Sequence, residues 1–240
     1  MGKYSLHDAA DRGDLEKLKG LLDTHPDMVN ARGPKNFTPL HCAAKGNSRE
    51  AASFLLSLNA DPEARTAYKM TPLHVAAFYG STDVMRLLLE EVPNIQIDAL
   101  DFGSWTALHY ACNYCWEDCA AALIDHGASL KKKSAELQFV PLHLASRSGK
   151  VLTVKKLLEN GCDVNHRNLF YITPLHLACQ NDHLEMVKFL LEMGAEAEAP
   201  DEAGITPAQL TKRDDIAALL EKAIMGQAQG RRQPPAQALR

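Results

Sequence analysis

The sequence predicts a mainly α-helical solenoid of stacked helix-turn-helix units joined by hairpin or turn loops. Three observations predict it. A Thr-Pro-Leu-His box begins at Thr38, Thr71, Thr106, Val140, Thr173 and, in worn form, Thr206, at successive spacings of 33, 35, 34, 33 and 33 residues. An apolar pair recurs within each unit: Leu21-Leu22, Leu55-Leu56, Leu88-Leu89, Leu123-Ile124, Leu157-Leu158 and Leu190-Leu191. Gly127, Gly161 and Gly194 follow three of these pairs and Asn59 a fourth, residues suited to the left-handed backbone that ends a helix. A reactive motif has no reason to recur at a fixed period, whereas a unit that buries its face only against copies of itself does.

Each unit reads in the same order. The box threonine caps an inner helix with its hydroxyl, and proline takes the first helical position, where the missing N–H costs nothing. Leucine then points inward, followed by small residues such as Ala76-Ala77 that let a second helix approach. A short turn follows, at Gly13, Asn47, Gly80, Cys115, Gly149 and Asp182. All of these except Cys115 tolerate positive φ well, so the Cys115 turn is expected to be strained or rearranged. The outer helix carries the apolar pair, and about eight residues lead to the next box, room for a turn or short hairpin. The histidines of the box, His7, His41, His74, His109, His143 and His176, are expected to hydrogen-bond the backbone of a neighbouring unit. Stacked helices stand about 10 Å apart, too far for a metal to be shared at ligand distances of about 2 Å.

The period, the Thr-Pro-Leu-His-x-Ala box and the Leu-Leu pair together resemble the ankyrin repeat over residues 4 to about 225. The units fall at 4–33 (N-terminal cap), 34–66, 67–101, 102–135, 136–168, 169–201 and 202–225 (C-terminal cap), read as one domain 1–225. The tail 226–240 lacks acids and an apolar pattern and is expected to be disordered. The resemblance implies a curved stack, with inner helices and hairpin tips lining a concave groove. It also implies function as a protein-protein interaction module, an adaptor, scaffold, assembly factor or inhibitor. Seven repeats with little appended are similar in layout to ankyrin proteins that serve as proteasome-assembly chaperones. A regulatory ankyrin subunit of an enzyme complex is another alternative, ranked ahead of a nucleic-acid or membrane-surface binder.

Composition narrows the remaining classes. Hydrophobic residues make up 46% and charged residues 23%, a folded rather than disordered profile, and a formal net charge of −4 argues against nucleic acid as a partner. No apolar run has signal-peptide or membrane-span character, and Leu6 stands where a myristoylation motif needs Ser or Thr, so no membrane partner is expected. Six cysteines without such a signal point to a reducing, cytoplasmic and also nuclear setting. Cys112, Cys115 and Cys119 have the spacing of half a zinc site, but no second C-x2-C follows, so no metal is assigned. Phosphate loops, nucleophile elbows and H-E-x-x-H helices are missing from the sequence, so no enzyme activity and no cofactor are expected.

The candidate site is therefore an interface. Ten of the fifteen aromatics map to the groove side, which sets where a partner protein would anchor. Hairpin positions hold Phe37, Tyr68, Trp105, Phe139, Phe170 and Tyr171; outward inner-helix positions hold Phe78, Tyr79, Tyr110 and Tyr114. Lys131, Lys132, Lys133, Arg147, Lys150, Lys155, Lys156 and Arg167 form a basic belt between residues 128 and 170, with Arg147 nearest the groove, a feature suited to an acidic segment of the partner. Asn165, in Asp163-Val164-Asn165, resembles the context in which ankyrin asparagines are hydroxylated, a candidacy that peptide mapping by mass spectrometry tests. The polar caps predict a monomer in the absence of the partner.

Overall fold

The computed structural model describes residues 5–232, with side chains through residue 227. The chain packs as two compact units, residues 1–136 and 137–240. In the first unit four helix pairs follow one another: α1 (Ser5–Arg12) and α2 (Leu15–Thr24), α3 (Pro39–Lys45) and α4 (Arg49–Ser57), α5 (Pro72–Tyr79) and α6 (Thr82–Glu91), α7 (Ala107–Asn113) and α8 (Glu117–Asp125). The second unit holds α9 (Pro141–Arg147) and α10 (Val151–Glu159), α11 (Pro174–Gln180) and α12 (Leu184–Glu192), α13 (Pro207–Leu210) and α14 (Asp214–Arg232). Within each unit every inner helix packs on the next inner helix and on its own outer helix.

The repeated box explains this order. Thr38, Thr71, Thr106 and Thr173 each accept a hydrogen bond from the backbone N–H of the histidine three residues on. That histidine returns the bond, its Nδ1 accepting from the threonine N–H at 3.1–3.2 Å. This is a capping box with histidine in the place usually held by Glu or Gln. The opposite ring nitrogen carries the proton and donates to the next repeat: His41 Nε2 to Met70 O (3.1 Å), His74 to Trp105 O (3.0 Å), His143 to Ile172 O (3.1 Å) and His176 to Ile205 O (3.2 Å). A carbonyl can only accept, so the bond fixes the Nε2–H tautomer. One side chain thus caps its own helix and ties down the stem of the following hairpin, as expected. In the last repeat Gln209 takes the histidine's place, its Oε1 accepting from Thr206 N at 2.8 Å.

The hairpins contain no strand among the described residues; they are side-chain-organised turns. Thr66, Asp101, Asn168 and Asp201 each accept the backbone N–H groups two and four residues on through one side-chain oxygen. Neighbouring hairpins share single backbone bonds, such as Phe102 N to Tyr68 O and Glu202 N to Phe170 O, too few to make a ladder.

The turn between inner and outer helices bears out the expected backbone. Gly13, Asn47, Gly80, Cys115, Gly149 and Asp182 all have φ between +50° and +75°. Residue type at this turn follows the next repeat. At Gly80 the indole of Trp116 lies so close that a Cβ would sit 2.5 Å from the ring, and Trp116 Nε1 donates to Phe78 O at 3.1 Å. At Gly149 the ring of His183 does the same and bonds Arg147 O at 2.9 Å. Asn47 and Asp182 reach the other way: Asn47 Oδ1 accepts from Asp83 N and Val84 N, and Asp182 Oδ1 accepts from Lys212 N. Glycine thus leaves room for an incoming side chain, whereas Asx supplies an outgoing acceptor.

Helix α14 continues to Arg232, so residues 226–232 depart from the disorder expected of the tail; residues 233–240 lie outside the described residues. The run Asp214–Met225 is a strong helix former, with acids in its first turn and Ile216 and Leu220 buried, so the helix propagates past the last packed residue.

Two changes test this account. Cys115 is held at φ +66°, so Cys115→Gly should stabilise the protein by about 1 kcal/mol by relieving the left-handed penalty. An unchanged or lowered melting temperature contradicts it. Val140 is the one box residue from Thr38 to Thr206 without a hydroxyl, yet His143 Nδ1 still faces its N–H at 3.4 Å. Val140→Thr should restore the missing cap and add about 1 kcal/mol. A urea midpoint no higher than wild type argues that the cap contributes nothing there.

Candidate partner-binding groove

The site is built in the first unit on the outward face of two successive inner helices. Phe78 and Tyr79 end α5; Tyr110 and Tyr114 lie one turn apart at the end of α7. Their backbones are held close because the buried faces of these helices carry Ala76, Ala77, Ala107 and Ala111. The rings consequently meet: Phe78 lies 5.0 Å from Tyr79, 5.6 Å from Tyr110 and 4.8 Å from Tyr114 between centroids. Trp105 joins from the hairpin stem, 5.0 Å from Tyr110. These separations are in the favourable range for aromatic pairs. With the hairpin residues Tyr68 and Phe102 they line a groove of about 550 Å³.

The groove is dry-walled but not sealed. Tyr68, Tyr79, Tyr114 and Phe102 remain exposed, Phe102 by 63%, far more than an isolated packing ring needs. Asp101 is the one acid in the lining and is fully engaged: it accepts Gly103 N and Trp105 N at 2.8 Å through Oδ1 and the Tyr110 hydroxyl at 2.5 Å through Oδ2. Burial, together with this bond and the Asp101 charge, pushes the Tyr110 phenol well above its usual range, so Tyr110 stays a neutral, oriented donor. Lys35 lies over the Tyr68 ring at 5.4 Å and Lys69 over Phe102 at 4.8 Å.

The predicted aromatics separate into two groups. A residue directly before the box serves as hairpin stem: its ring packs on the box histidine of its own repeat, as Phe37 does on His41 (5.4 Å), Trp105 on His109 (6.0 Å) and Phe139 on His143 (5.2 Å). Phe139 is 5% exposed under the Arg147 guanidinium, 5.9 Å from its ring. Its expected role as a partner anchor is therefore corrected to packing, because the ring lies against His143 and under Arg147. Tyr68, Phe170 and Tyr171 sit two or three residues before the box threonine, at the exposed tip. Phe170, Tyr171 and Arg147 belong to the second unit and do not line this groove. Phe102, Met70 and Lys35 do line it and were not singled out from sequence.

The other candidates carry structural roles. Asn165 Oδ1 accepts Glu196 N at 2.8 Å and its Nδ2 donates to Gly194 O at 3.2 Å, joining one hairpin region to the next as Asn30 does with Asp61 N and Asn59 O. Cys112 and Cys119 are buried among the helices. Among the described residues no three His, Cys, Asp or Glu side chains are placed to hold a metal ion, and no helix is long and apolar enough to cross a membrane.

Comparison with known proteins agrees with the repeat geometry. The pattern described as "Ankyrin repeats (3 copies)" matches residues 6–101, 93–168 and 142–224. The chain belongs to the ankyrin-repeat family. The human transient receptor potential cation channel subfamily A member 1 is 33% identical over 67% of this chain, which spans only 14% of the channel subunit. The probable 26S proteasome regulatory subunit p28 of Saccharomyces cerevisiae is 28% identical over 65% of this chain and 70% of its own length. The ankyrin repeat domain of human ASB11 superposes with a TM-score of 0.81 at 27% identity, covering 96% of this chain and 99% of that domain. Ankyrin repeats indicate a protein-protein interaction module.

The box histidines give the protein a pH dependence. Burial lowers the His41 pKa to about 4 and lowers those of His74 and His176. The unfolded chain binds a proton near pH 6.5 that the folded His41 refuses until about 4, so stability is full above 6.5 and falls as pH drops through that window. For His41 the loss is about 3 kcal/mol. Urea midpoints should be flat above pH 7 and decline toward pH 4. His41→Gln, which copies the Gln209 cap, should be less stable at pH 7 but show a shallower decline; an equal slope in the variant refutes the assignment.

Proposed function

We propose that the protein is a binding module that holds a partner protein in the aromatic groove of its first unit, acting as an adaptor, scaffold or assembly factor in the cytoplasm and nucleus. The observation that carries this reading is the clustering of Phe78, Trp105, Tyr110 and Tyr114 with exposed Tyr68, Tyr79 and Phe102 around one groove. Aromatic anchors already fixed by packing lose little side-chain entropy on binding, and each such anchor contributes about 2 kcal/mol when it acts as a hot spot.

A second reading, a proteasome-associated assembly or regulatory role, draws support from the yeast relative, most of whose length this chain covers. The catalytic chemistry of a larger complex would then reside in the partners. Partner capture from cell lysate with quantitative mass spectrometry, wild type against Tyr79→Ala/Tyr114→Ala, tests both. Partners lost from the folded variant are expected, with proteasome regulatory subunits among them under the second reading. Identical catches from the two baits overturn the groove as the partner site.

A further inference from the structure

The charge around the groove says more than its shape does. Only two charged residues line it, Lys35 and Asp101, and the Asp101 carboxylate is consumed by Tyr110, Gly103 and Trp105. Lys69 lies at the rim over Phe102. No ion pair of Lys35 or Lys69 with an acid occurs among the described residues, although Lys45, Arg49 and Arg12 in the same unit all have one. Both lysines also sit at positive φ, +54° and +60°, a conformation that costs a lysine about 1 kcal/mol and that Gly204 takes freely at the place of Lys69 in the last repeat. An apolar groove with two unneutralised ammonium groups over its aromatic edge is complementary to an apolar anchor flanked by carboxylates.

We propose that the groove selects an acidic peptide segment of a partner protein. A large apolar side chain of that segment seats among Phe78, Trp105, Tyr110 and Tyr114, and flanking Asp or Glu residues pair with Lys35 and Lys69. This rests on the groove being the partner site and adds the chemistry of what it takes. The charge sign excludes two other occupants. A cationic side chain, which an aromatic cluster alone would attract, meets two ammonium groups. The chain's own C-terminal sequence, GQAQGRRQPPAQALR, is basic and contains no Asp or Glu. Single-stranded nucleic acid also combines stacking faces with negative charge, but it needs a basic track along its backbone, and two lysines in a chain of net charge −4 do not make one.

The test is selection of phage-displayed random dodecamer peptides on the full chain, with isolated peptides then measured by fluorescence anisotropy. Two variants separate the questions: Phe102→Ala/Tyr114→Ala removes exposed rings, and Lys35→Glu/Lys69→Glu reverses exposed charge. Circular dichroism checks that both fold. The expected peptides carry one large apolar residue and two or more acids. They should weaken about tenfold or more on each variant and weaken as sodium chloride rises from about 50 to about 500 mM. Peptides that depend on the rings but are neutral or basic, or that ignore the lysine reversal, overturn the acidic specificity and leave the groove reading standing. Peptides indifferent to the ring variant overturn both. Tight, ring-dependent binding of a fluorescent oligothymidylate, or self-association that the ring variant abolishes, assigns the groove to nucleic acid or to a second copy and overturns the proposal.

Discussion

The structure depends on one side chain used twice. His41, His74, His109 and His176 each accept from their own threonine N–H through Nδ1, and His41, His74 and His176 donate from Nε2 to a carbonyl in the following hairpin. The inner helices are only seven or eight residues long outside the last repeat, too short to persist alone in water. They are stable because their exposed amides are capped and because the ring that caps them also fixes the distance to the next repeat. Burial of the ring between the two keeps His41, His74 and His176 neutral and so keeps both of their bonds.

The groove is a consequence of that spacing. Alanines on the buried faces of α5 and α7 let the helices close up, and the latch of Trp116 over Gly80 holds the same two repeats together. Four rings from two successive repeats then pack into a wall, Phe78 tilted against Tyr79, Tyr110 and Tyr114 and the two tyrosine rings of α7 parallel, where on separate helices they would be unconnected surface aromatics. Asp101 shows the same economy: the carboxylate that organises the hairpin also orients Tyr110 at the groove. Its oxygens are thereby engaged inside the fold, leaving Lys35 and Lys69 as the charged groups presented at the aromatic edge.

The turn between the helices shows how a repeat tolerates sequence change. Its left-handed backbone is constant, but the residue that adopts it is chosen by the neighbour. Glycine stands where Trp116 or His183 must come close, and Asn47 or Asp182 where the next outer helix needs an acceptor for its amides. The same logic separates the hairpin aromatics. Those directly before the box are drawn onto the box histidine, while those at the tip stay exposed.

The sequence alone determined the repeat, the capping threonines, the left-handed turn positions and the structural role of the histidines. All of these are local or lie one period apart, so a periodic pattern expresses them directly. It also placed Phe78, Tyr79, Tyr110 and Tyr114 on one face, because helical register decides that. Only the tertiary structure decided that Phe139 is covered by Arg147, that Phe102 and Met70 complete the groove, and that the Asp101 oxygens are taken by hydrogen bonds within the fold while the two lysines pair with no acid among the described residues. Exposure and charge pairing depend on which side chains from different repeats meet in space, and residues roughly one repeat apart, such as Lys35 with Tyr68 or Lys69 with Phe102, meet through hairpin geometry that no spacing rule specifies.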